Sequence, residues 1–325
     1  MLGIDLAKQV FQLHGVDERG KQQLSTRLRR GSLARFIAQL PPCLIGMEAC
    51  GSAHHWARLF QGYGHEVRLI SPQFVKPYVK SQKNDANDAE AICEAVSRPH
   101  MRFVPIKTTE QQDMQAEHRV RQLLVKQRTG LVNQLRGLLG EYGIPIPQGI
   151  GSVRRRLPEV LEDAENGLSP AVRALFARLQ DQIQVLDEQI ARSDQAIKQA
   201  VQRDERCQRL TSMDGIGPLI ATALVAAIGS RQAFNNGRQV AAWLGLVPRQ
   251  HSSGGRPTLL GISKRGDRYL RTLLIHGARA VIYRVKDATS TRARWLKQLI
   301  ERRGVNRATV TLANKMARIA WAMLA

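Results

Sequence analysis

The hydrophobic period of this chain changes near Thr108, and no single layer of secondary structure accommodates both halves. Upstream, short apolar runs alternate with helical spacing. LGIDLA, VFQLHGVD and QQLSTRL read as three successive strands, with a turn at Glu18-Arg19-Gly20. Ser32–Leu40 has helical spacing with Ser32 as its N-cap. Residues 43–47 (CLIGM) read as a buried strand, His54–Tyr63 as a helix, EVRLI as a strand and Asp85–Val96 as a helix with an acidic start. Three strands followed by alternation predict a mixed α/β sheet covered by helices. Downstream the spacing is that of long helices. Asp113–Tyr142 sets Val120, Leu124, Leu131, Leu135 and Leu138 on one stripe, ended by Gly143-Ile144-Pro145-Ile146-Pro147. Ser169–Arg203 spaces Leu179, Ile183, Leu186 and Ile190 as a heptad seam that Ile197 continues. An intrachain hairpin and a coiled coil between two subunits would use the same residues. From Cys207 the chain reads as all helical apart from the loop RQHSSGGRP. The expected divisions are 1–107, 108–206 and 207–325.

Charge narrows the partners. Lys and Arg number 49 against 27 Asp and Glu, a net charge of +22, so a polyanion is the expected partner and an acidic-pocket metabolic enzyme is disfavoured. Residues 249–325 alone hold 17 basic and 3 acidic side chains, so pairing within that stretch cannot neutralise it. Phosphate contact is expected from it, with Arg265, Arg268 and Arg271 on one face of a helix beginning near Ser263. Arg302, Arg303 and Arg307 form a second group. Only 5% of residues are aromatic, which disfavours a base-stacking platform. Cys43, Cys50, Cys93 and Cys207 form no CxxC pair, so neither a zinc knuckle nor a redox motif is expected, and the thiols read as reduced and cytosolic. Asp5 and Lys8 interrupt any signal core, and the apolar run Ile216–Ile228 is too short for a bilayer; no membrane partner is expected.

Four carboxylates of the first division are the candidate chemistry. Asp5 ends one apolar strand and Glu48 another, while Asp85 and Asp88 start a helix three residues apart. Each alone reads as a loop or helix cap. If the strands are neighbours and the helix crosses their ends, the four converge as hard oxygen ligands suited to Mg²⁺ or Mn²⁺.

These residues also carry a resemblance. GIDLAK at 3–8, EAC at 48–50 and KNDANDAEAI at 83–92 resemble the Asp-Glu-Asp-Asp motif of insertion-sequence transposases of the IS-one-ten family, relatives of the Piv-type DNA invertases. GIDLAKQVFQLHGVD is similar to the IS-eleven-eleven subgroup. The resemblance covers essentially the whole chain. It implies a ribonuclease-H-like (RuvC-like) first domain with Asp5, Glu48, Asp85 and Asp88 as Mg²⁺ ligands, then a helical coiled-coil domain and an all-α C-terminal transposase domain. It implies target and donor DNA as substrates, an element-encoded guide RNA, a homodimer that assembles further on DNA, a composite site shared between subunits, and a bacterial, nucleoid-associated protein.

The loop at RQHSSGGRP reads from composition alone as a flexible linker. The resemblance implies otherwise: a Ser-Gly step follows a GL-x-PR segment, here Gly245–Arg249, which makes Ser253 the nucleophile that joins DNA covalently. Ser252 is the weaker candidate, and His251 is left out of the chemistry. Arg249, Arg256 and Lys264 flank this segment as expected backbone contacts. Met213-Asp214-Gly215-Ile216-Gly217 resembles a helix-hairpin-helix turn, whose Gly215 and Gly217 would offer backbone N–H groups to phosphate; a purely structural tight turn between packed helices is the other reading. The alternatives are a RuvC-like junction endonuclease using activated water and a non-catalytic nucleic-acid scaffold.

Overall fold

The computed structural model describes residues 1–80, 82, 84–229, 231–285 and 290–324. The chain divides into two compact units, Met1–Gln111 and Gln112–Ala325.

The first unit contains β1 (Leu2–Leu6), β2 (Val10–Val16), β3 (Gln22–Arg29), α1 (Arg30–Ala38), β4 (Leu44–Glu48), α2 (Ala53–Gly62), β5 (Glu66–Ile70), α3 (Pro72–Val75), α4 (Asp85–Val96) and β6 (Phe103–Val104). The sheet order is β3-β2-β1-β4-β5-β6. Strands β1 to β3 form an antiparallel meander, because tight turns join them. Strands β1, β4 and β5 are parallel, with α1 and α2 as the crossovers such pairing requires. The expected mixed sheet is therefore present. One face buries Ile4, Phe11, Leu13 and Met47 against Trp56 and Phe60 of α2. On the other, Ile70 packs with Ile92 and Val96 of α4.

Two caps differ from expectation. Helix α1 starts at Arg30, so Ser32 lies inside its first turn and caps nothing. Helix α4 starts at Asp85 as expected, but Asn84 caps it, its side chain accepting from the Asn87 amide at 2.8 Å.

The second unit contains most of α5 (Thr109–Glu141), then α6 (Ile150–Glu162), α7 (Pro170–Arg203), α8 (Glu205–Thr211), α9 (Pro218–Ile228), α10 (Gly237–Trp243), β7 (Pro248–Gln250), β8 (Leu259–Ile262), α11 (Arg268–Arg284), α12 (Thr291–Arg303) and α13 (Val305–Met323). Helices α5 and α7 run antiparallel. Arg121 pairs with Asp194 at 2.7 Å and Arg128 with Asp187 at 2.7 Å, so the chain order runs in opposite senses. Asp187 also takes Arg154 of α6, and these two guanidinium groups hold its carboxyl below the usual carboxylate range against the opposing effect of burial. Leu135 and Leu139 pack with Phe176 and Ile183, and Ile190 and Ile197 are buried within the same chain. The intrachain hairpin, one of the two arrangements open to the sequence, accounts for the seam. The expected α5 stripe is displaced: Val120 is 53% exposed, while His118, Val132, Leu135 and Leu139 face inward. Helices α8 to α13 close a separate core that includes Leu224, Leu244, Leu274, Leu296 and Leu312. The all-α expectation for this region is corrected by β7 and β8, which pair as an antiparallel hairpin.

Candidate functional site

The strand register sets the acidic pair. β1 and β4 pair Leu2 with Ile45, Gly3 with Gly46 and Ile4 with Met47. One residue further on, Asp5 and Glu48 stand abreast at the carboxyl ends of neighbouring strands, about 4.8 Å apart by strand spacing. Side chains alternate along a strand, so Gly3 and Asp5 share one face, as do Gly46 and Glu48. Helix α4 lies on that face. A Cβ at Gly3 would stand 2.3 Å from the Ala89 carbonyl oxygen, and one at Gly46 would stand 2.8 Å from Val96 Cβ. Glycine at both positions lets α4 settle directly on the sheet.

Asp85 and Asp88 lie in the first turn of α4, where the helix dipole favours negative charge. Asp5, Glu48 and Asp88 are half-buried and Asp85 is exposed. Among the described residues, no three His, Cys, Asp or Glu side chains are drawn together as a metal-binding group. The backbone thus sets Asp5 and Glu48 abreast on the face that α4 covers, and the four carboxylates are not drawn into a ligand shell among the described residues. Lys83, in the same motif, lies outside the described residues. Cys50 adjoins the pair: burial first, then the charges of Glu48 and Asp5, push its thiol up. It remains protonated and adds no competing charge. The donor chemistry fits a hard divalent cation, since every candidate ligand is a carboxylate oxygen.

Ser253 sits at the tip of the β7–β8 hairpin, in place of the flexible linker that composition suggests. It forms a bridge with Arg256, whose amide donates to the Ser253 carbonyl at 3.1 Å. Between them Gly254 and Gly255 have φ of +56° and +73°. Two left-handed residues in succession make the type I′ turn that matches hairpin twist, and glycine adopts them without strain. Ser252 Oγ accepts from Gln250 Nε2 at 2.9 Å and from the Thr258 amide at 3.3 Å, so it ties the hairpin together. The His251 amide donates to the Thr258 carbonyl at 3.0 Å. Ser253 is exposed, and no described residue hydrogen-bonds its hydroxyl.

The glycine turn between α8 and α9 serves two ends. Gly215 has φ of +86°, and a Cβ there would meet Val281 Cγ2 at 2.7 Å and the Gly277 carbonyl at 2.9 Å, so it is packed against α11. Gly217 is exposed and precedes α9. The neighbouring Asp214 pairs with Arg292 of α12.

Arg249, Arg256, Lys264, Arg265 and Arg268 are exposed. Arg271 is not: it is 9% exposed, and its Nη1 donates to the Leu244 and Arg265 carbonyls, each at 3.0 Å. The expected shared arginine face is corrected accordingly. Helix α11 begins at Arg268 under an Asp267 cap rather than near Ser263, which leaves Arg265 in the preceding loop. His118 went unread in the sequence. It is buried, its ring nitrogens meeting Thr222 Oγ1 at 3.0 Å and Tyr269 Oη at 2.9 Å. Burial first, then the Arg121 charge, lower its pKa to about 4. The Thr222 hydroxyl donates to the Pro218 carbonyl at 2.8 Å, so in the neutral ring Nε2–H donates to Thr222 and Nδ1 accepts from Tyr269. A lone polar residue on the buried stripe of a helix was the available signal.

Comparison with known proteins places these features. Residues 207–295 match the model of the Transposase IS116/IS110/IS902 family, and residues 2–144 match a DEDD transposase model of the IS110 type. A probable family 20 transposase of Pseudomonas aeruginosa is 54% identical over 324 residues, covering 99% of this chain and 96% of its own. The transposase for insertion sequence element IS1111A of Coxiella burnetii is 50% identical, covering 100% and 89%, and that for IS1328 of Yersinia enterocolitica is 44% identical, covering 99% and 95%. The chain belongs to the IS110/IS116/IS902 transposase family. It is an insertion-sequence transposase, an enzyme that acts on DNA. The DEDD-type match spans Asp5, Glu48, Asp85 and Asp88, and the other match spans Ser253. DEDD-type transposase domains usually use divalent metal ions. No helix of the transposase is long and apolar enough, among the described residues, to cross a membrane.

Proposed function

We propose that this transposase exchanges DNA strands through a covalent serine–DNA intermediate, with Asp5, Glu48, Asp85 and Asp88 as its Mg²⁺ ligands and Ser253 as its nucleophile. The observation that carries the serine reading is the exposed, uncommitted hydroxyl at a type I′ hairpin tip. Ser253 Oγ bonds to phosphorus, the bond to one deoxyribose oxygen breaks, and the serine proton is balanced by the one that oxygen takes up. Attack on the phosphoserine by an incoming strand's hydroxyl reverses the step, so rejoining needs no external energy source. Arg256, across the turn, offsets charge developing on the phosphate. When bound, Mg²⁺ or Mn²⁺ supplies Lewis-acid stabilisation of that charge.

The first domain is read as ribonuclease-H-like, supported by its mixed sheet order and by the family resemblance. The division into 1–107, 108–206 and 207–325 is supported by four apolar cores, two of which fall within the first range and one within each of the others. Gly217, Arg249, Arg256, Lys264, Arg265 and Arg268 hold nucleic-acid backbones; among the expected contacts, Gly215 and Arg271 are given to packing. Backbone contacts carry no sequence information, which supports reading of target and donor DNA by a paired guide RNA. The resemblance supports a homodimer assembling further on DNA, in the bacterial cytoplasm with the nucleoid.

The test compares wild type, Ser253→Ala and Asp5→Ala on donor and target DNA with Mg²⁺. Wild type should leave an SDS-stable protein–DNA adduct, and both variants should bind DNA but fail to exchange strands. Normal exchange by Ser253→Ala overturns the serine reading, and cleavage with no adduct gives the site to activated water. Sequencing of RNA that co-purifies with the transposase tests the guide.

A further inference from the structure

The sheet edge farthest from β3 carries a second charged feature that the strand-exchange reading does not use. A groove of about 490 Å³ opens there, lined by Arg58 and Gln61 of α2, Val67 and Arg68 of β5, and the segment 103–108. We propose that this groove is a phosphodiester-backbone subsite in which Arg58, Arg68 and Lys107 hold a nucleic-acid strand separate from the one at the carboxylates. The carboxylate strands β1 and β4 lie three and two places from β6 in the sheet, about 14 Å and about 10 Å at ordinary strand spacing, so a phosphate held by the segment 103–108 is not the one at the carboxylates.

The Arg58 and Arg68 side chains and the Lys107 backbone are held in place before any ligand arrives. Arg58 Nη1 donates to the Lys107 carbonyl at 2.5 Å. The Lys107 amide donates to His54 Nδ1 at 3.2 Å. Arg68 pairs with Glu66 at 2.6 Å and lies over the Phe103 ring, 4.9 Å from its centroid. Restraint of this kind lowers the entropy lost on binding. Glu66 pairs with Arg68 and Glu110 acts on Arg58, so three cationic side chains face two carboxylates around the groove. Val67, Val104 and Ile106 contribute an apolar lining against which sugars can pack. Arg68 covers a face of Phe103, so that face does not stack a base, and the contact is independent of sequence.

An acidic peptide fits less well. A peptide recognised at a sheet edge takes its affinity from a backbone ladder, and β6 has only two residues to offer. The chain's net charge of +22 and its action on DNA favour the nucleic acid.

The test uses the full-length transposase and scrambled-sequence oligonucleotides, as duplex DNA, single-stranded DNA and RNA. Binding is measured by fluorescence anisotropy across a salt series. The double variant Arg68→Gln with Lys107→Gln should bind at least fivefold more weakly than wild type. Its log–log salt slope should be shallower by roughly 1.4 to 1.8, from two lost phosphate contacts. A charge-matched control, Arg27→Gln with Arg29→Gln on the exposed strand β3, should keep the wild-type slope. The oligonucleotide that loses most identifies the strand the groove takes. Hydrogen exchange on wild type gives a reading independent of any substitution: the amides of 103–108 should gain protection when that oligonucleotide binds. A slope equal to the control's, or no protection of 103–108, overturns the proposal. Neither measurement involves strand exchange, so the groove and the Ser253 reading stand or fall separately.

Discussion

Gly3→Ala is a one-methyl change that tests how the carboxylates are positioned. The added Cβ would lie 2.3 Å from the Ala89 carbonyl oxygen and 2.5 Å from the Cys93 amide nitrogen. Both are backbone atoms of α4, so no side-chain rotation relieves the overlap. Ordinary contact needs roughly 3.5 Å, so α4 must retreat by on the order of 1 Å. Overpacking of this kind costs about 1–3 kcal/mol, a substantial share of a domain's ~5–15 kcal/mol. The functional loss should be larger than the stability loss, because Asp85 and Asp88 ride on the displaced helix while Asp5 stays on β1. A misplacement of ~1 Å at reacting groups is worth on the order of 100-fold in rate. Denaturant unfolding followed by hydrogen exchange of the β1 and α4 amides reads the first quantity, and strand-exchange rate on fully folded protein reads the second. Gly137→Ala on α5 is the control: nothing lies within 4 Å of its Cβ, and an exposed helical glycine replaced by alanine should gain about 0.5–1 kcal/mol. If Gly3→Ala keeps both wild-type stability and wild-type exchange, the close packing of α4 does not set the site.

Two further perturbations follow from buried polar groups. His118 is held neutral in the folded protein down to about pH 4, whereas its ordinary value is 6.5, so the unfolded chain takes up the proton first. Stability that is complete above pH 6.5 should therefore fall as pH drops toward 4, and His118→Gln should flatten that fall; equal pH slopes in unfolding experiments would refute it. Arg271→Met should cost about 1–3 kcal/mol by leaving the buried Leu244 carbonyl and the part-buried Arg265 carbonyl without this donor, yet leave the salt dependence of DNA binding unchanged. Arg268→Gln should do the reverse, and a salt-slope change from Arg271→Met instead would return that residue to the DNA-binding surface.

The periodic elements were the legible part of this fold. EVRLI and DANDAEAICEAV became β5 and α4 at their expected bounds, because apolar spacing and a polar cap agree there. The hairpin at Ser253 was not legible, since β7 and β8 are exposed on every residue but Ile262 and so carry no apolar alternation. Its signal was the paired glycine at 254 and 255, which composition alone assigns to a linker. Arg271 was misread for a related reason. Spacing of three placed it beside Arg268, but α11 turns that position inward, where two loop carbonyls need a donor. Sequence period reports a helical face; it does not report which face a neighbouring loop will claim.

The position of the carboxylates follows from the topology more than from any one contact. Strands β1 and β4 are parallel, so their carboxyl ends lie at the same side of the sheet and bring Asp5 and Glu48 there together. They are also where the order turns, with β2 and β3 laid to one side of β1 and β4 and β5 to the other. Open α/β sheets bind ligands at such a switch point, because the connections diverge and leave a crevice beyond the strand ends. In this chain α4 returns across that face after β5, and Gly3 and Gly46 admit its Ala89, Cys93 and Val96 directly against the sheet. The first turn of that helix carries Asp85 and Asp88 at the positive end of the helix dipole. Removing the Asn84 cap weakens the helix start without removing an acid. Asn84→Ala should therefore reduce strand exchange by loosening that turn, with all four carboxylates still in place, and raising Mg²⁺ should restore part of the loss. A variant indifferent to Mg²⁺ concentration would separate the cap from the site.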